Sequence, residues 1–220
     1  MRGMAQDALN MEKKRREFLE TGFRLFSEKN IETVSLPQIA EAAGYGTATL
    51  YRYFDKKPGF VVAVATWMWE QFYEEYKKRK PKAGFEGRTA AEIFEFYLDS
   101  FLVLYRDHRD LLRFNQFFNV YVQSEKMDTE MISPYQGMIS VLETHFHNIY
   151  AKAQQDHTLR TDVPEIEMFS ATLHLMLAAV TRYAVGLVYI PYSGFDAEKE
   201  LDLLKTMILN KYRMKKSNSA

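Results

Sequence analysis

The 220-residue sequence contains no cysteine, which excludes a disulfide scaffold, a thiolate metal site, an iron–sulfur cluster and a cysteine nucleophile. Glycine and proline are sparse, at 10 and 6 residues, too few for the many turns of a β-sandwich and suited to long helices. No apolar run reaches the roughly 18–20 residues that a membrane span requires. Met1 to Lys14 also lacks the apolar region of a signal peptide. The expectation is a soluble, reduced, cytoplasmic protein with no membrane partner. Net charge is absent too, with 29 basic residues against 29 acidic ones. What is present is 47% hydrophobic and 15% aromatic, enough to bury a core and too apolar for global disorder.

Charge is unevenly placed. Residues 1–82 hold 15 Lys and Arg against 11 Asp and Glu, a net +4, while residues 83–220 hold 14 against 18, a net −4. A basic front on an acidic body suggests a polyanionic partner for the front alone.

Nearly every segment repeats at helical period. Residues 11–29 set Phe18, Leu19, Gly22, Phe23, Leu25 and Phe26 on one side, and Asn30 can take the left-handed conformation that closes a helix. Ser35 and Gln38 have the spacing of a capping box, with Pro37 in the first turn. They open a short helix over 36–43 that Gly44 stops. A second short helix spans 47–53, and Asp55 is placed to cap a long one running from 56 or 57 to about 80. Pro81 to Gly87 reads as a linker. Longer helices are expected over 89–107, 110–124, 129–154, 164–188 and from Asp196 to about Tyr212. A Pro/Gly turn covers 190–195, and the tail from Lys215 is expected to be disordered.

Two short helices joined by a glycine-containing turn, beside a longer first helix, make a helix-turn-helix. A helix about 10–12 Å across fits a major groove roughly 12 Å wide, so the second short helix can lay side chains on base edges. Leu50 and Phe54 must face inward, which turns Thr47, Ala48, Tyr51 and Arg52 outward. Thr47 and Arg52 suit polar contacts, Ala48 a thymine methyl, and Tyr51 a phosphate or base edge. Lys57 sits at a helix start, where the dipole disfavours a cation unless a phosphate is held there with it. Lys13 to Arg16 are either an arm reaching phosphates or an ordinary solvated face.

At these residues the sequence resembles the tetracycline-repressor (TetR) family of bacterial regulators. The likeness rests on Ile39-Ala40, Ala43-Gly44-Tyr45, Thr49-Leu50-Tyr51, Tyr53-Phe54 and Lys57, with Phe26, Asn30, Thr33 and Ser35 upstream. Asn30 and Gly46 depart from the usual glycine and hydroxyl residue, and Pro58-Gly59-Phe60 departs at the start of the next helix, which is therefore expected to be looser. The resemblance implies an all-α protein: a three-helix helix-turn-helix DNA-binding domain over 1–57 and a helical effector-binding and dimerisation domain over 58–214. It implies DNA contacts from Ser35, Gln38, Thr47, Ala48, Thr49, Tyr51, Arg52, Tyr53 and Lys57.

So small a motif reads few base pairs, and a two-fold dimer on a palindromic operator is the physical route to specificity. The last two helices are the expected dimer face, with Phe169, Leu173, Leu177, Val180 and Ala184 on one and Leu201, Leu204 and Ile208 on the other. The family resemblance implies a four-helix bundle there. It also implies an internal pocket for a small hydrophobic or aromatic effector. Candidate lining residues are Trp67, Phe94, Tyr97, Phe101, Tyr105 and Phe114, together with Phe117, Phe118, Tyr121, Met138, His174 and Met176, although aromatic stripes also pack as plain core. No cofactor, metal or catalytic residue is expected, since His145 and His147 diverge by about 200° on a helix. The reading is a ligand-responsive repressor. Its rivals are a helical carrier or sensor that has lost DNA binding, and an all-α enzyme acting on a hydrophobic substrate.

Overall fold

The structure is a computed structural model that describes residues 2–80, 84–186 and 193–214, with side chains from Gln6 onward. Leu187 and Val188, parts of the 81–87 linker and the 190–195 turn, and the tail from Lys215 lie outside the described residues. Among those described, the chain forms α1 (Arg2–Lys29), α2 (Leu36–Ala42), α3 (Thr47–Tyr51), α4 (Lys57–Arg79), α5 (Ala90–Asp107), α6 (Arg109–Ser124), α7 (Thr129–Asp156), α8 (Glu165–Ala184) and α9 (Ala197–Tyr212). The all-α expectation holds. Helix α1 begins well before residue 11. Helix α8 stops earlier than Val188, because Val185 ends it and Gly186 follows with φ 79°.

The chain divides into two compact units, one of residues 1–74 and 113–138, the other of 75–112 and 139–220. This differs from a boundary at 57/58. The reason is the apolar first half of α4, where Phe60, Val61, Val62, Val64 and Ala65 are all buried.

In the first unit, α1 buries Phe18, Leu19, Phe23 and Phe26. Asn30 closes it with φ 79° while its side chain accepts from Thr33 N at 3.1 Å. Gly22 lets α4 approach, since a Cβ there would lie 2.5 Å from two ring carbons of Phe60. The Phe60 ring stands edge-on to Phe54 at 4.8 Å and to Phe26 at 6.0 Å. The start of α4, expected to be loose, is therefore anchored by its Phe. From 113–138, Phe114 stacks on Phe26, and Phe118 packs on Tyr135, whose hydroxyl donates to the buried Asn115 amide oxygen at 3.4 Å.

In the second unit, α5 opens with a reciprocal Thr89–Glu92 capping box. Its next free N–H groups are taken from outside the helix: Ala90 N donates to Asp156 and Ala91 N to Thr158, at 2.7 and 3.0 Å. Helices α5, α8 and α9 pack on one another. A cluster of rings fills the middle, with Phe146 5.9 Å from both Phe94 and Tyr97 and 5.2 Å from Phe169. Asp196 caps α9, accepting from Glu198 N and Lys199 N.

Candidate nucleic-acid interface

The reading head is built by short-range signals. Ser35 accepts from Gln38 N at 3.4 Å, and the Gln38 side chain accepts from Ser35 N at 2.8 Å. Of the DNA contacts expected from this pair, the Ser35 hydroxyl is taken up by the cap. The Gln38 amide nitrogen stays at the surface. Gly44, with φ 78°, turns the chain out of α2, and Tyr45 N returns to Ala40 O at 2.9 Å. Tyr45 fastens the turn to α1. Its hydroxyl donates to Glu17, which raises its pKa, and its ring lies 5.1 Å from Phe18.

Helix α3 begins at Gly46 without a side-chain cap; its first bond is Thr49 N to Gly46 O at 2.8 Å. Leu50 is its buried anchor and Phe54 follows beneath it. Ala48, Tyr51 and Arg52 are exposed, Tyr51 by 48%, while Thr47 and Thr49 are half-exposed. The outward face is the expected one. Arg52 donates to the Thr49 hydroxyl at 3.5 Å and is otherwise exposed to solvent. Tyr53 departs from expectation: its ring is half-buried against Phe18 and Phe54, at 5.7 and 6.5 Å. An aromatic two residues past α3 has left the helical face and turned to the core.

Lys57 departs more clearly. Its ammonium donates to Glu32 O at 3.2 Å and lies 5.7 Å from the Tyr121 ring. Burial lowers its pKa, with Glu125 and Glu32 acting against that. The first helical acceptor of α4 is Lys56 O, which receives Phe60 N. Asp55 therefore lies one residue outside the cap, and the exposed cation at this helix start is Lys56. Sequence reasoning passed over Lys56 because the two lysines are adjacent and only packing tells them apart. Lys56, Lys57, Tyr51, Ser35 and Thr33 border a hollow of about 420 Å³ beside α3.

The four consecutive basic residues Lys13 to Arg16 of α1 all have partners within the unit. Lys13 and Arg16 pair with Glu17 and Glu20 at 3.9 and 3.7 Å, Lys14 lies over Tyr45, and Arg15 over Phe54. That arrangement matches a solvated face better than a free arm.

The expected effector residues fall in both units. Trp67, Phe114, Phe117, Phe118, Tyr121 and Met138 belong to the first, and Phe94, Tyr97, Phe101, Tyr105, His174 and Met176 to the second. Trp67 borders a hollow of about 400 Å³ with Arg15, Thr66, Glu70, Met131 and Pro134. His174 is exposed on α8, bonded to Ser170 at 3.3 Å, and is not inside the body.

The expected dimer residues differ in exposure. Phe169, Val180, Ala184, Leu201 and Ile208 are buried within the single chain. Leu173, Leu177 and Leu204 are half-buried. Among the apolar side chains that these helices leave open are Ile166 at 62%, Leu175 at 53%, and Leu203 and Met207 at 60% each, with Ala178 also exposed on α8.

Among the described residues, no group of three or more His, Cys, Asp and Glu side chains could hold a metal ion, and no helix is long and apolar enough to cross a membrane.

Residues 18–64 match the family model for bacterial regulatory proteins of the tetR family. A helix-turn-helix-type transcriptional regulator of Staphylococcus aureus is 29% identical over 99 residues, which are 45% of this chain and 51% of that protein. The match thus spans about half of the curated relative's length. Among solved structures, a transcriptional regulator of Saccharomonospora viridis in complex with choline aligns with a TM-score of 0.72 at 16% identity, covering 93% of this chain and 100% of that one. FadR from Bacillus subtilis in complex with stearoyl-CoA aligns at 0.68 with 15% identity, covering 88% and 97%. At such identities the likeness is one of fold.

Proposed function

We propose, from the match of residues 18–64 to the tetR family of bacterial regulatory proteins, that the chain is a transcriptional repressor of that family, released from DNA by a small hydrophobic or aromatic molecule. The observation that carries the reading is the outward face of α3. Ala48, Tyr51 and Arg52 stand in solvent on a helix pinned from beneath by Leu50, the arrangement that a major-groove reader needs. Lys56 and the start of α4 supply a phosphate contact beside it.

One head reads too little sequence to be specific, so two copies bind a palindromic operator. The dimer face in this reading is Leu175 and Ala178 of α8 with Leu203 and Met207 of α9, the last two one turn apart. The small Ala178 lets a partner helix come close.

The effector site in this reading lies in the second unit, among the rings that α5, α7 and α8 bring together. Regulators of this fold hold ligands as different as choline and stearoyl-CoA, which supports a body that can house a small molecule. The protein acts in the cytoplasm, where its DNA is, and no catalytic step is assigned to it.

Selection of binding sites from random duplex DNA with the full chain tests the reading. A two-fold site with half-sites one helical turn or a multiple apart is expected, bound with an affinity that falls steeply with salt. Recovery of no sequence, or of binding indifferent to salt, would favour the carrier reading instead.

A further inference from the structure

Buried polar groups almost always find a hydrogen-bond partner, because stranding one is costly. Among the described residues of the second unit, Tyr97 and Thr172 depart from that rule. Tyr97 on α5 is 4% exposed and Thr172 on α8 is 0% exposed, and the hydroxyl of each has no partner. Thr172 is the more telling. A helical Ser or Thr has an acceptor within reach, the carbonyl one turn back. Ser27, Thr66 and Thr144 all take it, donating to Phe23, Val62 and Ser140. Thr172 does not. Nor does burial of a tyrosine in this unit by itself strand the hydroxyl, since that of Tyr150 donates to both Thr161 O and Val163 O.

Tyr97 belongs to a cluster of rings that α8 joins through Phe169, one turn before Thr172. The Tyr97 ring lies 5.6 Å from Phe101 and 5.9 Å from Phe146, and Phe146 lies 5.2 Å from Phe169. Phe169 is one turn before Thr172 on the same face of α8, and the buried Met176 is one turn beyond it. Helix α5 packs directly on α8. Aromatic rings and a thioether make the kind of wall that rearranges around an apolar guest.

We propose that Tyr97 and Thr172 are the recognition pair of the effector site, two hydroxyl donors that together hold the carbonyl oxygen of a neutral, otherwise hydrophobic ligand such as a ketone, ester or lactone. This rests on the reading of the body as the effector-binding unit and names the chemistry that the effector carries. A carbonyl oxygen offers two lone pairs, one for each hydroxyl. Burial raises the Tyr97 pKa far above its ordinary value, so the group keeps its proton and donates. A carboxylate would enter among neutral side chains, since Tyr97, Phe101, Phe146, Phe169, Thr172 and Met176 carry no charge. An unpaired buried anion is strongly disfavoured. A plain hydrocarbon would leave both hydroxyls stranded.

The test titrates the full-length protein with 2-undecanone, undecanoate and undecane, read by calorimetry and by thermal shift. The ketone should bind at least tenfold more tightly than either of the other probes. Tyr97→Phe and Thr172→Val should each weaken the ketone about fivefold or more and leave undecane unchanged. Without any probe both variants should keep or raise the Tm, since each removes a stranded hydroxyl; a merely structural hydroxyl would lower it. Equal binding of all three probes overturns the pair yet leaves a hydrophobic effector site standing. Ketone preference that survives in the double variant, or no binding of the ketone, also overturns the pair. Release of operator DNA by some other hydrophobic compound would then show that the effector reading stands without it.

Discussion

Replacing Gly22 by alanine probes the joint on which the head is built. The added methyl would sit 2.5 Å from the Cε1 and Cζ atoms of Phe60, well inside van der Waals contact. The ring has nowhere to retreat, being fully buried between Phe54 and Phe26. Overpacking of this kind costs about 1–3 kcal/mol, against roughly 1 kcal/mol gained when a helical glycine becomes alanine. The net is a loss of about 0–2 kcal/mol, and each kcal/mol lowers the Tm of a 60–100-residue unit by roughly 4–8 °C. Differential scanning calorimetry of the full chain reads it in the transition that contains the head. Adding Phe60→Leu should recover part of the loss, with a coupling of about 0.5–3 kcal/mol between contacting sites. A Tm that rises in Gly22→Ala, or two losses that simply add, would refute the idea that this close approach is what requires glycine.

Acid should weaken the clip at the start of α5. Burial works most strongly against the Asp156 carboxylate, but the bonds from Ala90 and Thr158 together outweigh it and hold its pKa below the ordinary value. A lowered carboxyl stabilises above its unfolded pKa of about 4 and loses that contribution as pH falls through the folded pKa. Asp156→Asn should therefore cost stability at pH 7 by a margin that shrinks below pH 4; a Tm difference constant from pH 7 to pH 3 would contradict this. Lys56→Ala should weaken operator binding across all sequences and reduce the salt slope by about one, whereas Lys57→Ala should chiefly lower the Tm; the reverse pattern would show the two lysines misassigned. Leu203→Lys with Met207→Lys should give monomers in sedimentation, and a persisting dimer would place the interface elsewhere.

The head was legible because its signals are local. The Ser35–Gln38 box, the left-handed Asn30 and Gly44, and the spacing of Leu50 to Phe54 each act within a few residues. What escaped depends on partners far along the chain. Gly22 reads as one more small residue until Phe60, 38 positions later, is brought against it. Lys56 and Lys57 are equivalent in a sequence and opposite in the fold, because Glu32 O and the Tyr121 ring capture one of them. Helix α8 is apolar on more than one face, so periodicity found its stripe without showing that Phe169 and Val180 turn to the chain's own core while Leu175 turns away. The aromatic residues were expected in one pocket, but helical spacing does not tell which helices pack together, and the set falls in two units. The Tyr97 ring is legible in the helical spacing; its stranded hydroxyl is visible only once its neighbours are in place.

The central claim is that the exposed face of α3 reads bases. Its most direct measurement is the affinity of wild type and Arg52→Ala for the selected operator and for every single-base-pair variant of one half-site. The claim predicts that Arg52→Ala binds more weakly and loses discrimination, worth about 1–3 kcal/mol, at one base pair or two adjacent ones while preferences elsewhere persist. Uniform weakening at every position, or an unchanged preference profile, would contradict it.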